Sequence, residues 1–170
     1  MTGTAALAAC PGCGALVPDG PGPTHAYIGA SPGCWAAWGR VQARSFASPA
    51  IAAVQPLAVD VYAVQHPSLA ERRAIQSVCV HLVSLCLIVE GGRSPAEGIR
   101  AKQLLLAGER SFARLEPPPP RYSMTVLDVA AVADPDAVPD AVRRWAEITW
   151  EAWRPHHGVV RARAAALGLG

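Results

Sequence analysis

A repeated turn constrains this chain more than any other feature. Cys10-Pro-Gly-Cys13-Gly14 is echoed by Ser31-Pro-Gly-Cys34. Two thiolates share one tetrahedral ion only if the chain between them bends sharply, and Pro followed by Gly supplies that bend. Gly14 lets the backbone turn on past the second sulfur without a Cβ clash. This is the shape of a zinc knuckle. Cys34 is the expected third ligand, because it opens a predicted helix whose dipole favours a thiolate. His25 lies between the two turns and is the expected fourth, in the order Cys-x2-Cys-x11-His-x8-Cys. Ser31 stands where a second knuckle would carry its first Cys, so a bundle histidine or water is the alternative to His25. One zinc ion on Cys10, Cys13, His25 and Cys34 is the expectation. A closed Cys3His site would be structural and contribute folding energy outright. Three cysteines and an open position would be catalytic.

The remainder of the chain reads as helix. Residues 1–32 are punctuated by Pro and Gly and are expected to form turns rather than regular elements. The spacing of Trp35, Trp38 and Val41 predicts a first helix over Cys34–Phe46. Ser48-Pro49 is an N-cap with Pro at the first helical position, and predicts a second helix to Gln65 that Pro56 kinks or splits. Ser68 is the expected cap of a third helix, Ala70–Glu90, which Gly91-Gly92 ends. Ser94-Pro-Ala-Glu97 has the form of a capping box and starts a fourth helix to about Leu106. Pro117–Pro120 is a polyproline spacer. Thr125 caps a short helix. Pro139 opens the last long one, and Pro155 interrupts it before His156-His157 and a final Ala/Arg-rich turn. No strand alternation is visible. The expected fold is therefore all-α, a helical bundle with an irregular, zinc-stapled N-terminal segment. It reads as a single domain over 1-170, with a metal lobe at 1-33 and the bundle at 34-170.

Composition narrows the function. The apolar share is 51%, the charged share 16% and the net charge +2, which argues for extensive burial and against a nucleic-acid or membrane-binding surface. Lys102 is the single lysine among fifteen basic residues, the mark of coding bias rather than of Arg chosen for phosphate. Val78–Val89 is the most apolar stretch, roughly half a membrane span in length, and reads as a core helix. No secretory signal is visible at the start. A cytoplasmic location is expected, where five cysteines mean metal or buried thiols rather than disulfides. Cys79 and Cys86 read as buried, inert thiols.

A second group of residues lies in the bundle. Arg73, Ser77, His81 and Ser84 fall at i, i+4, i+8 and i+11, a polar stripe on an otherwise apolar helix. Buried polar groups need partners, so the stripe must face something polar. Tyr62 and His66 stand at i, i+4 on the second helix with Asp60 nearby, and His156 and His157 follow the tryptophan-rich last helix. Convergence of His66, His81 and His156 or His157 would offer a second metal site or an acid–base cluster around a cavity. The alternative is that each is hydrogen-bonded separately in core or cap.

Five segments carry a resemblance. They are Cys10-Pro-Gly-Cys-Gly14, Pro23-Thr-His-Ala-Tyr-Ile-Gly-Ala-Ser-Pro-Gly-Cys-Trp35, Val59-Asp-Val-Tyr-Ala-Val-Gln-His-Pro67, Arg72-Arg-Ala-Ile-Gln-Ser77 with His81-Leu82, and Trp150-Glu-Ala-Trp-Arg-Pro-His-His157. Together they resemble a small bacterial family, domain of unknown function 5946, over nearly the whole chain. The resemblance implies no activity. It marks Cys10, Cys13, His25, Cys34, Asp60, Tyr62, Gln65, His66, His81, His156 and His157 as the positions to watch. It also implies a His near Gln55-Pro56 in relatives, where this chain has none.

Two functions are expected from these residues. The first is a small metal-dependent enzyme of a specialised biosynthetic or modification pathway, with Asp60, Tyr62, His66, His81, His156 and His157 around a bundle cavity. The second is a non-catalytic, zinc-stabilised interaction module using its tryptophans. Its partner would be an unknown small molecule or protein, with self-association allowed. A thiol redox role for Cys10-x-x-Cys13 fits poorly, because the motif precedes turn residues instead of opening a helix beside a sheet.

Overall fold

The computed structural model describes residues 6–68, 71–108 and 111–168. Two three-residue strands open it, β1 (Leu7–Ala9) and β2 (Leu16–Pro18), paired antiparallel with Ala8 opposite Val17. Seven α-helices follow: α1 (Pro32–Arg44), α2 (Pro49–Gln65), α3 (Arg72–Val89), α4 (Pro95–Gly108), α5 (Val126–Ala131), α6 (Val138–Ala152) and α7 (His157–Ala166). Short 3-10 turns precede α6 and α7. The described residues are all-α apart from this hairpin and two isolated bridges.

That hairpin corrects the expectation of turns alone over 1–32. Its strands are too short to show alternation, and what pairs them is the knuckle itself. The Cys10 amide donates to the Ala15 carbonyl (2.8 Å) and the Gly14 amide donates to the Cys10 carbonyl (2.8 Å), closing the hairpin tip. Gly14 has φ +81°, a conformation that suits glycine.

Helix starts follow the local chemistry. Ser48 accepts from the Ile51 amide at the head of α2. Ser94 and Glu97 form the reciprocal pair expected for a capping box, with the Ser94 amide donating to the Glu97 carboxylate (2.8 Å). The Thr125 amide donates to Asp128 in the same way (2.7 Å). One of the two alternatives for Pro56 drops out, and the cap of α3 is reassigned. Pro56 does not split α2, which runs unbroken over seventeen residues because its buried face packs against neighbouring helices on both sides of the proline. Ser68 does not cap α3. The helix begins at Arg72 after Glu71, and the expected first residue, Ala70, lies outside the described residues.

Helix α3 is the centre of the body. It packs against α2, α4, α6 and α7, and buries eleven residues, which explains why it is apolar nearly all round. By length and composition alone this helix is apolar enough to cross a membrane, but here its apolar side chains face the interior. Trp145 and Trp153 are fully enclosed and Trp150 nearly so. The outer end of α3 is tied by Glu90, which accepts from Trp150 Nε1 (2.9 Å) and from both Nε and Nη2 of Arg161 on α7 (2.8 and 2.7 Å). The Arg161 hydrogen bonds pull the Glu90 carboxyl down to about 2.

Helices α3 and α4 pack closely at Gly98. A Cβ there would lie 2.9 Å from Ile88 Cδ1 and would strike Ser84 Oγ. Ser84 cannot swing aside cheaply, because it donates to buried Asp60 (2.5 Å). Gly98→Ala is therefore expected to destabilise the fold by about 1–3 kcal/mol. The urea midpoint should fall with an unchanged denaturant slope.

Candidate metal centre

Three elements bring four donor atoms together. The hairpin tip presents Cys10 and Cys13, the first turn of α1 presents Cys34, and the residue ending α2 presents His66. The three Sγ atoms and a ring nitrogen all lie within 4.8 Å of one another, and all four residues are buried. Cys13 and Cys34 sulfurs are 3.8 Å apart, and Cys34 Sγ is 3.2 Å from His66 Nε2. Two sulfurs bound tetrahedrally to one zinc at its usual bond length sit about 3.8 Å apart. A disulfide would need about 2.05 Å, and none of the five cysteines is disulfide-bonded.

The fourth corner belongs to His66, in place of the expected His25. Spacing along the chain favoured His25, but the segment after it turns back and pairs with the end of α2. His25 bridges to Ile28, Ile28 bridges to Pro67, and the Gly29 amide donates to the His66 carbonyl (2.8 Å). This turn carries the His25 ring outward to Tyr27 (4.3 Å) and Trp35 (5.4 Å). The same turn brings the His66 backbone against the leader. The signal for His66 was already in the sequence: it ends a helix just before a proline, one turn after Tyr62.

His66 is oriented from behind. Its Nδ1 lies 2.7 Å from the Tyr62 carbonyl, so Nδ1–H donates there and Nε2 keeps its lone pair for the sulfur cluster. A metal-binding histidine is held in this way, by a hydrogen bond that fixes its tautomer. The Tyr62 hydroxyl points at Cys34 Sγ (3.7 Å), and burial with the nearby thiolate charge pushes its pKa up. The thiols crowd one another. Cys10 is lowered as the acceptor of hydrogen bonds from Cys13 and Cys34. Cys13 is raised by donating to Cys10, and Cys34 is pushed up to about 12 for the same reason. Three thiolates cannot coexist here without a cation, and a divalent ion reverses that balance.

The other candidates do not converge. His81 Nδ1 binds Asp60 (2.6 Å). His156 Nε2 donates to the Glu116 carbonyl (2.7 Å), out near the surface. His157 Nε2 binds the Trp150 carbonyl (2.9 Å), and its ring stacks on that indole at 3.8 Å. His66, His81 and His156 or His157 therefore do not converge: the four rings go to the sulfur cluster, Asp60, the Glu116 carbonyl and the Trp150 carbonyl. Among the described residues, one group of metal-ligating side chains is found, the Cys3His cluster.

Asp60 heads a second buried polar group. Besides His81 it accepts from Ser84 and pairs with Lys102. Lys102 was missed by sequence reasoning, and its one signal was its standing as the sole lysine. Beside this group lies a cavity of about 250 Å³, walled by Trp35, Trp38, Tyr62, His25, Tyr27 and His81 among others. Tyr62 stacks on Trp38 (4.5 Å between centroids) and separates the cavity from the sulfur cluster.

Fold and site define a small helical protein with a buried Cys3His cluster able to hold a metal ion. Residues 8–154 match the model of a family of unknown function (DUF5946), and the chain belongs to that family. No curated protein and no solved structure matches the chain significantly.

The knuckle is packed too closely for any side chain at Gly12. A Cβ there would meet His66 Cδ2 at 2.6 Å and the Gly29 carbonyl at 2.8 Å. Gly12→Ala should push His66 off the cluster. Metal per chain, measured by mass spectrometry, should fall well below the wild-type value.

Proposed function

We propose that Cys10, Cys13, Cys34 and His66 hold one zinc ion in a structural role. The ion locks the Pro/Gly-rich leader onto the helical body, and the protein works through that body rather than at the metal. The observation that carries this reading is the closed donor set: four protein ligands at 0–1% exposure, with His66 oriented by the Tyr62 carbonyl. Three thiolates and one imidazole in a tetrahedral array suit zinc. Catalytic zinc keeps a position open for water or substrate, whereas four protein donors fill the tetrahedron. Chemistry at the metal therefore has little support, and the enzyme reading moves to the cavity beside His81. The interaction-module reading loses Trp145, Trp150 and Trp153, which are spent on the core. A reducing compartment, the cytoplasm, goes with a site built on thiolates.

Wild-type protein is expected to carry about one zinc per chain. Cys34→Ser and His66→Ala should both lose it, and His25→Ala should keep it. Removing the zinc takes away a ligand that binds only the folded state. At a concentration a thousand times its dissociation constant this is worth about 4 kcal/mol, or about 8–16 °C in melting temperature for a chain of this size. Full zinc content in His66→Ala, or an unchanged melting curve after exhaustive chelation, would refute the structural role.

A further inference from the structure

The polar stripe of α3 leads to a second site. His81 gives its Nδ1 to Asp60, and Lys102 already supplies that carboxylate with a positive charge. In the neutral ring, Nδ1–H donates to Asp60 and Nε2 keeps its lone pair. That edge has no protein partner in the described residues, and the ring borders two adjoining cavities. The first, about 250 Å³, has a wall of rings: Trp35, Trp38, Tyr62, Tyr27 and His25. The second, about 300 Å³, shares Tyr27, Ser77 and His81 with it and ends at Arg73. Among the described residues lining the two cavities, none is acidic. The groove therefore has an aromatic end, a hydrogen-bond acceptor in the middle and a cation at the far end.

We propose that this groove binds a small flat aromatic acid. Its ring lies against the Trp35 and Tyr62 wall, a ring N–H or O–H donates to His81 Nε2, and its carboxylate meets Arg73. Flat rings gain the most from such a wall, and a few placed polar groups orient the ligand in a mostly apolar pocket. Arg73 and His81 are eight residues apart on α3, about 12 Å along the axis. A bicyclic ring with a short acidic tail spans that distance once both side chains reach inward. Asp60 and Lys102 are positioning residues, since they set the tautomer of His81 without touching the groove's occupant. Buried in front of them, Ser84 completes the set around the carboxylate.

The groove takes no donor from the sulfur cluster, but His25, Tyr27 and Trp35 belong to the segment the cluster holds, so the site rests on the zinc reading. Measuring metal content first separates loss of zinc from loss of binding. The test is calorimetric titration of the zinc-loaded full chain, its metal content measured first, with indole-3-acetate as the probe. The same ring without the acid (3-methylindole) and with a cation in its place (tryptamine) are the comparators. Indole-3-acetate is expected to bind saturably, with 3-methylindole about tenfold weaker and tryptamine weaker still. Arg73 is exposed, so Arg73→Ala leaves the fold intact. It should weaken the acid about tenfold and leave 3-methylindole unchanged. His81→Gln should weaken both indoles. The proposal is overturned by no saturable binding of the acid at millimolar concentration. It is equally overturned by tryptamine binding as tightly as the acid, or by an Arg73→Ala variant that binds the acid unchanged.

Discussion

The leader before α1 meets the helical body where sulfur is held close to sulfur. Residues 6–31 bury little apolar surface of their own: Val17 is inside, but Leu7 and Leu16 are largely exposed. A segment so short of core cannot offset the entropy of ordering its own backbone. It is held by the hairpin tip, by the Gly29 amide on the His66 carbonyl, and by Pro120, whose carbonyl lies against Gly14. The polyproline run is thus no free spacer. It crosses over the knuckle and covers it. The last two join distant parts of the chain and presuppose that the knuckle already sits at the end of α2. A cation held by four donors from three elements would meet that condition at once.

Helix α2 turns one structural demand into two sites. Asp60, Tyr62, Gln65 and His66 sit on consecutive faces of its last two turns, and all four are buried. His66 goes to the sulfurs, Asp60 to α3 and α4, and Gln65 to the Met124 carbonyl (3.0 Å) and Thr149 (2.8 Å). Tyr62 stands between: its hydroxyl faces Cys34 and its ring faces the cavity. The helix end that orients His66 therefore also sets the floor of the groove. The family resemblance runs through this segment, and the packing gives a physical reason for its density of polar residues.

The knuckle and the helices were legible because both are local. Cys10-Pro-Gly-Cys13 declares its own turn, and Ser48, Ser94 and Thr125 declare their caps. The fourth ligand was not legible from spacing, because it depends on where a loop returns. Residues 25–30 fold back on Pro67, and that long-range pairing decides between His25 and His66. Lys102 escaped for the same reason: its role exists only once α4 lies against α3 at Gly98. The stripe Arg73, Ser77, His81, Ser84 was visible, yet its meaning divides. Ser84 and His81 serve Asp60, while Arg73 and Ser77 line the neighbouring cavity.

The buried Asp60 group is the part of the fold least explained by stability. A carboxylate at 0% exposure carries a large desolvation cost even when paired. Three partners, Lys102, His81 and Ser84, satisfy it fully, but an apolar residue of similar volume would hold α2, α3 and α4 together without that cost. Such replacements are often neutral or stabilising. Nor is the group in contact with the sulfur cluster, which orients His66 through a backbone carbonyl instead. What the group does accomplish is to fix one imidazole, at the rim of the molecule's aromatic cavity, with a defined nitrogen facing out. A ligand at that nitrogen gives the arrangement a purpose that packing does not.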